Sequence, residues 1–139
     1  MPSEALFLDA AYAIALASPD DEFHARAVAL ALNLKSGQTR MVTTQAVLLE
    51  IGDSLSKPRF RPAAVEILSG IAKDSRIEIV PLTPDLMRRA FDLFRQRPDK
   101  GWGLTDCVSF IVMSEREIHQ ALTTDDHFEQ AGFVALLNQ

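Results

Sequence analysis

Short apolar segments with strand character alternate along this chain with segments of helical periodicity, and this alternation constrains the fold more than any other feature. The predicted strands cover residues 5–8, 40–44, 76–82, 119–124 and 133–137. The predicted helices cover residues 9–17, 20–35, 45–55, 63–74, 85–97, 104–116 and 127–132. Because strands that alternate with helices pair in parallel, the pattern predicts an α/β fold. We expect a three-layer α/β/α sandwich around a mainly parallel sheet of about five strands.

Turn-forming and capping residues mark several of the predicted helix boundaries. Ser18 and Pro19 have the order of an N-cap and a first-turn residue, which predicts that the second helix begins there. Thr83 and Pro84 predict the start of a later helix in the same way, and Gly37 predicts the end of the second one.

Length and composition are those of one ordinary globular domain, residues 1–139, with 47% apolar and 24% charged residues. Cys107 is the only cysteine; its isolation excludes an intrachain disulfide and favours a reducing, cytoplasmic compartment. The apolar run at residues 5–17 is interrupted by Asp9 and preceded by no Lys or Arg, which argues against a signal peptide. No apolar run approaches the roughly 18 residues of a membrane span.

Four acidic residues occupy positions from which they could meet at one edge of the sheet. Asp9 follows the first strand directly, and Asp125 follows the strand at residues 119–124. Glu50 lies in the helix after the second strand, and Asp106 lies in the first turn of a helix that follows a Gly-containing loop. Because α/β sheets bind ligands at the carboxyl ends of their strands, four elements can each bring a carboxylate to one place.

Three of these acids also have a structural explanation when taken singly. Asp9 could cap the helix that follows it. Asp106 is favoured by the helix dipole, with Thr105 as the cap. Glu50 could face solvent, since Glu is a good helix former.

The fourth acid belongs to a pair, Asp125 and Asp126, that is typical of a helix start. Asp126 and Glu129 have the spacing of a capping box. A functional site is favoured only by the joint placement of all four acids.

A cluster of carboxylates has a specific electrostatic requirement. Close carboxylates repel one another, so at least one stays protonated unless a cation joins them. Oxygen ligands without His or Cys suit Mg²⁺ or Mn²⁺, and two such ions about 4 Å apart could support phosphoryl displacement. Metal ions would also reconcile a net charge of −5, which argues against broad nucleic-acid binding, with a polyanionic substrate.

Four segments together resemble the PIN domain of the kind found in VapC toxins: FLDAAYAIALA, TTQAVLLEIGDSL, DKGWGLTDCVSFIVM and ALTTDDHFEQAGF. The resemblance covers nearly the whole chain in the family's order, and the third segment is the most specific. It implies a Rossmann-like fold and a metal-dependent endoribonuclease. In that family, metal-activated water attacks an RNA phosphodiester and leaves a 5′-phosphate and a 3′-hydroxyl.

The resemblance also assigns roles to individual residues. The family's four acids, which bind Mg²⁺ or Mn²⁺, correspond here to Asp9, Glu50, Asp106 and Asp125. The hydroxyl residues before the third and fourth acids are Thr105 and Thr124, which would orient the acids or a metal-bound water. Asp126 departs from the family pattern; as a helix cap it would leave Asp125 for the site. Asp53, one turn after Glu50, is expected on the solvated surface.

The same resemblance implies three partners: an RNA substrate, a cognate antitoxin protein and a second copy of the chain in a homodimer, with no membrane. Helical spacing beside Glu50 suggests an apolar groove for the antitoxin, lined by Leu48, Leu55, Phe60 and Ile67. Burial of all four in the core would count against this groove.

Other function classes stay open. A PIN-domain nuclease of RNA processing or decay, or a catalytically silent PIN fold that only binds, would share the same segments. A phosphoaspartyl protein is disfavoured, because the phosphatase pattern needs an Asp-x-Asp pair where Ala10 and Ala11 follow Asp9.

Several reactive or aromatic residues have simpler explanations. Cys107 is expected to be a small buried residue, and Trp102 a loop anchor over the core. His24, His119 and His127 lack metal-ligand spacing, and for His127 we expect local packing.

Basic residues form two sets. The stretch Lys57, Arg59 and Arg61 either contacts RNA phosphates beside the cleft or serves solubility. A second set is expected to form a solvated helix face: Arg88, Arg89, Arg95 and Arg97.

Overall fold

Five parallel strands form the centre of the computed structural model, which describes residues 4–139. The strands are β1 (Leu6–Leu8), β2 (Met41–Thr44), β3 (Ile77–Val80), β4 (Gln120–Leu122) and β5 (Val134–Ala135). Their spatial order is β3-β2-β1-β4-β5, and every pairing is parallel. The predicted α/β fold with five strands is therefore confirmed.

Seven α-helices connect the strands. They are α1 (Ala10–Ala17), α2 (His24–Ser36), α3 (Gln45–Ser54), α4 (Arg61–Lys73), α5 (Pro84–Gln96), α6 (Leu104–Glu115) and α7 (Asp126–Gln130). A 3₁₀ turn, Leu136–Asn138, follows β5. The chain moves from β1 to β2 and β3 in one direction and then returns to β4 and β5 on the other side of β1. Because such crossovers are right-handed, the connections before and after β3 cover opposite faces of the sheet.

The strand order reverses between β1 and β4, so the carboxyl ends of these two strands form the topological switch point. A crevice opens in α/β sheets at this position, and ligands bind there. Asp9 follows β1, and Thr123 and Asp125 follow β4. The fold alone therefore brings residues from the two ends of the chain to one crevice.

The observed start of α5 agrees with the predicted one, because a capping side chain determines it. Thr83 accepts a hydrogen bond from the Leu86 amide, and Pro84 begins α5, as predicted. The predicted start of α2 at Ser18 is wrong, since this helix begins at His24. The Asp21 side chain accepts a hydrogen bond from the Phe23 amide at 2.8 Å, and this local turn replaces the first predicted helical turns.

The last strand is shorter than predicted. β5 contains only Val134 and Ala135, and the chain then turns because the Leu137 amide donates a hydrogen bond to the Thr123 carbonyl at 3.1 Å. The 3₁₀ turn therefore lies against the carboxyl end of β4, beside the switch point.

Apolar residues of the central strands and the inward helix faces form one core. Phe110 on α6 packs edge-to-face on Phe128 of α7 and on Trp102, with ring centroids 5.0 Å apart in both pairs. The predicted anchoring of Trp102 is thus confirmed; the residue is buried, and its Nε1 donates to Gln130. Among residues 4–139, no helix has the length and apolar character needed to cross a membrane.

Candidate metal centre

Asp9 is a buried carboxylate at the end of β1, with 4% of its surface exposed. It is the N-cap of α1, where its Oδ2 lies 3.4 Å from the Ala11 amide. The same oxygen accepts a shorter hydrogen bond, 2.7 Å, from the Thr123 hydroxyl. Burial raises the pKa of Asp9 to about 6, although these hydrogen bonds oppose the rise.

Thr123 links two of the acids and was missed by the sequence reasoning. Its hydroxyl donates to Asp9 and accepts from the Asp125 amide at 3.0 Å, so it joins the ends of β1 and β4. The resemblance pointed to Thr124 instead, for which the structure records a hydrogen bond through the backbone carbonyl, accepted from Asn138 Nδ2. The two-residue period of an extended chain, which puts Thr123 and Asp125 on one side, was the available signal.

Asp106 lies in the first turn of α6, where Gly103 is the N-cap. The expected cap, Thr105, is therefore wrong: Asp106 itself accepts a hydrogen bond from the Gly103 amide, at 3.0 Å. This carboxylate is partly buried, and burial raises its pKa despite hydrogen bonds from Gly103 and His127. Thr105 borders a shallow pocket together with Glu50 and Asp53.

Asp125 is the N-cap of α7, since its Oδ1 accepts from the His127 amide at 2.8 Å. The expectation that Asp126 caps this helix is thus wrong. Asp126 instead accepts a hydrogen bond from Asn138 Nδ2 at 3.3 Å. Local spacing does not reveal this long-range contact of Asp126 with the 3₁₀ turn.

His127 lies in the site, so the expected local packing is wrong. Its Nδ1 is 3.0 Å from Asp106 Oδ2 and 3.4 Å from Asp125 Oδ1. Ligand atoms of these three residues all lie within 4.8 Å of one another, close enough to hold a metal ion.

Glu50 reaches the same crevice from α3. Burial raises the pKa of Glu50 to about 7, and repulsion from Asp9, Asp106 and Asp125 adds to the rise. Glu50 therefore lies near enough to the other three acids for their charges to interact, whereas the ligand atoms within 4.8 Å of one another belong, among residues 4–139, to Asp106, Asp125 and His127. Asp53, by contrast, is exposed.

The donor set fits a hard divalent cation. Carboxylate oxygens predominate, and burial together with repulsion between the acids raises the pKa values of Asp9, Glu50 and Asp106. A bound Mg²⁺ or Mn²⁺ would stabilise the ionised carboxylates that burial and mutual repulsion disfavour.

Two residues for which the sequence predicted no catalytic or metal-binding role have structural contacts only. Cys107 is fully buried, as predicted, and burial raises the pKa of its thiol to about 11, which is unsuitable for a nucleophile. His24 bonds the Ala15 carbonyl through Nδ1 at 2.8 Å.

Of the four residues predicted to line an apolar groove beside Glu50, only Ile67 lines the groove described here. Leu55 is buried and cannot line it, whereas Leu48 and Phe60 are partly buried against the core. Ile67 borders a groove between α1, α2 and α4, whose apolar walls also include Tyr12. Further apolar lining comes from Leu16, Leu34 and Ile71.

A parallel sandwich with carboxylates gathered at its switch point defines a class of α/β proteins that can hold divalent cations at one sheet edge. The family model of the PIN domain matches residues 6–134, nearly the whole chain. The chain belongs to the PIN domain family, which confirms the resemblance seen in the sequence.

Comparison with solved structures gives a close fold match. The chain is similar to the crystal structure of Mycobacterium tuberculosis VapC20, a toxin that cleaves the sarcin-ricin loop, with a TM-score of 0.83 and 25% sequence identity. The alignment covers 94% of this chain and 97% of that one. No curated protein matches the sequence.

Proposed function

We propose that this protein is a divalent-metal-dependent endoribonuclease and the toxin of a toxin–antitoxin pair. The observation that carries the proposal is the meeting of Asp9, Glu50, Asp106 and Asp125 at the switch point, with raised pKa values at the first three. Membership of the PIN family and similarity to a ribonuclease toxin support the reaction class.

Each site residue has a proposed part in the reaction. The four acids would hold Mg²⁺ or Mn²⁺, which when bound supplies an activated water and offsets the phosphate charge. Thr123 keeps Asp9 oriented through its 2.7 Å hydrogen bond. Glu50 and Thr105 border one pocket, so the Glu50 carboxylate would hold the ion on the side of the site where Thr105 lies. Thr105 would orient the water there.

An exposed basic loop between α3 and α4 is a proposed contact for the RNA backbone. α4 spans about 20 Å and ends just before β3, so its start at Arg61 lies on the carboxyl side of the sheet, as the acids do. Within residues 4–139, Lys57 and Arg59 form no salt bridge, although Arg59 stacks on Phe60 at 4.4 Å.

The arginines of α5 are committed elsewhere. Arg89 and Arg95 pair with Asp85 and Asp92 at 3.0 and 2.9 Å, and Arg88 also pairs with Asp85. Free positive charge on the carboxyl side therefore favours the α3–α4 loop as the phosphate contact.

Two apolar surfaces suit the proposed protein partners. The groove between α1, α2 and α4 would take apolar side chains of a cognate antitoxin. Exposed Leu49 on α3 and exposed Met87, Phe91 and Phe94 on α5 would be covered in a homodimer, which light scattering of the purified chain would measure. With an RNA substrate and these partners, the activity would be cytoplasmic.

Metal-dependent cleavage of structured RNA tests the function. We expect the purified chain to cut RNA with Mg²⁺ or Mn²⁺, and to lose at least about 100-fold of that activity with EDTA or in Asp9→Asn. Asp9→Asn should keep or increase the melting temperature of the metal-free protein, because it removes a buried charge whose pKa is raised to about 6.

Two outcomes would contradict the nuclease assignment. Asp9→Asn with the rate of the wild type would remove its role in the site. A wild type that neither cleaves RNA nor responds to metal in its melting temperature would favour the catalytically silent PIN fold. Cleavage confined to non-ribosomal messenger substrates would favour RNA decay over a toxin like VapC20.

A further inference from the structure

His127 is the one basic side chain that contacts the acids of the site within residues 4–139. It lies in the first turn of α7, and its Nδ1 faces Asp106 Oδ2 at 3.0 Å and Asp125 Oδ1 at 3.4 Å. The opposite ring nitrogen, Nε2, faces the loop before α6, where a Cβ added at Gly101 would be 3.8 Å away.

The proton on Nδ1 follows from what surrounds it. When Asp106 is ionised, its oxygens only accept hydrogen bonds, so in that state Nδ1 donates to Asp106. A ring nitrogen that carries a proton cannot bind a metal ion at the same time. With the proton in this place, the ring binds Asp106 through Nδ1 and is not itself a metal ligand, although it lies close to both acids.

The two oxygens of Asp106 are treated differently by the protein. Oδ2 accepts from the Gly103 amide and from His127 Nδ1, both at 3.0 Å. Within residues 4–139, Oδ1 accepts no hydrogen bond. Two donors on one oxygen fix the rotation of the carboxylate and leave the other oxygen available.

The position of His127 is itself fixed by packing. Its neighbour Phe128 is fully buried between Phe110 and Phe7, with ring centroids at 5.0 and 6.3 Å. The Asp125 cap holds the His127 amide. The donor is thus supplied by a rigid element, as the orientation of a metal-binding carboxylate requires.

We propose that His127 is a positioning residue that orients Asp106 through Nδ1 and thereby sets the affinity of the site for a divalent cation. This inference rests on the proposed function. His127 would touch neither the RNA nor the metal, so it acts on metal affinity and turnover and leaves RNA binding unchanged.

Paired substitutions test the proposal. In His127→Ala we expect the Mg²⁺ concentration for half-maximal effect to rise about 10- to 100-fold, both in RNA cleavage and in the Mg²⁺-dependent melting temperature without RNA. At saturating Mg²⁺ the KM for RNA should not change. His127→Asn should restore most of the affinity, because its Nδ2 occupies the place of Nδ1 and can donate to Asp106.

His119→Ala is the matched control. His119 also pairs with a carboxylate through Nδ1, at 2.9 Å from Glu4, but at the opposite edge of the sheet. The His119→Ala variant should keep the metal dependence of the wild type. Circular dichroism would verify that both alanine variants are folded.

Each outcome bears on the role of the ring. Unchanged metal dependence in His127→Ala would overturn the inference. If His127→Asn does not restore the Mg²⁺ affinity and also loses any preference for Mn²⁺ over Mg²⁺, the inference would be overturned. Direct binding of the metal by the His127 ring would then be favoured. A wild type that binds Mg²⁺ without cleaving RNA, with weaker binding in His127→Ala, would support the inference while contradicting the proposed function.

Discussion

The two edges of the sheet carry acidic residues in opposite electrostatic states. At the amino edge, Glu78 accepts two hydrogen bonds from Arg116, both at 2.7 Å, and Arg116 with nearby Arg40 holds the pKa of Glu78 below its usual range. At the carboxyl edge, burial and like charges raise the pKa of Asp9 to about 6 and of Glu50 to about 7.

This contrast distinguishes the candidate acids of the metal centre from the other acids better than cavity size does. The amino edge borders a larger groove, of about 760 Å³, than the pocket of about 360 Å³ beside Glu50. Its acid Glu78 is nevertheless neutralised by Arg116. At the carboxyl edge, Asp9 and Glu50 form no ion pair within residues 4–139, and burial raises the pKa of both.

The largest effect is expected at the carboxyl edge, from removing the hydrogen bonds that the Thr123 hydroxyl forms between the ends of β1 and β4. Thr123→Val keeps the shape but leaves the Asp125 amide without its acceptor and Asp9 without its 2.7 Å donor. We expect a loss of about 1–3 kcal/mol in the free energy of unfolding. The Mg²⁺ requirement, measured by cleavage, should rise about 10-fold or more.

Thr124→Val is the matched control for Thr123→Val. The recorded hydrogen bond of Thr124 uses its backbone carbonyl, so the substitution should change little. A larger effect at Thr124 than at Thr123 would restore the role that the family resemblance gave to Thr124.

A smaller effect, opposite in sign at the two edges, should appear in stability against pH. The pKa of Glu50 rises from its ordinary 4.5 to about 7 on folding, so its ionisation destabilises the metal-free protein as pH rises between these values. Denaturant unfolding should show Glu50→Gln to be more stable than the wild type above pH 7, on the order of 2 kcal/mol. The difference should vanish below pH 4.

Glu78→Gln should give the reverse result. The pKa of Glu78 is lowered by Arg116, so its ionised form stabilises the fold at neutral pH, and that contribution is lost as pH falls through the folded-state pKa. The pair is solvent-exposed, with half of the Glu78 side chain accessible, so the loss at pH 7 should stay below about 1 kcal/mol. Parallel pH profiles for both variants would remove the electrostatic distinction between the edges.

The smallest expected effect concerns the cations around the two edges. The double variant Lys57→Gln with Arg59→Gln should raise the KM for RNA several-fold and make binding less sensitive to salt. For each phosphate that the variant no longer neutralises, the slope of log affinity against log salt should fall by about one. Arg40→Gln, an exposed arginine of the amino edge, is the control and should leave both unchanged. Equal effects would show that net charge alone matters.

Regular periodicity explains how much of this molecule the sequence could predict. Five apolar segments correspond to the five strands, and positions directly after strands put Asp9 and Asp125 at the carboxyl edge. The start of α2 was predicted wrongly because Asp21 forms a local turn that competes with the helix. Helix propensity alone does not tell whether such a segment forms a helix or a turn held by a side chain.

The parts of the site that could not be predicted depend on contacts between distant residues. His127 meets Asp106 across 21 positions, and Thr123 meets Asp9 across 114. Local spacing allowed either Asp125 or Asp126 to cap α7, and a hydrogen bond from Asn138 to Asp126 accompanies the choice. Such contacts arise only when the sheet is assembled.

The strand order also has a consequence for how the protein is made. β1 is synthesised early, but its neighbour β4 comes much later in the chain. Thr123, whose hydroxyl binds Asp9, lies 114 positions after it. A nascent chain on the ribosome therefore carries an incomplete acidic crevice until residues 120–127 have emerged and paired with β1. Long-range parallel pairing is also slow to form, so the crevice is completed only after the preceding elements have been elongated.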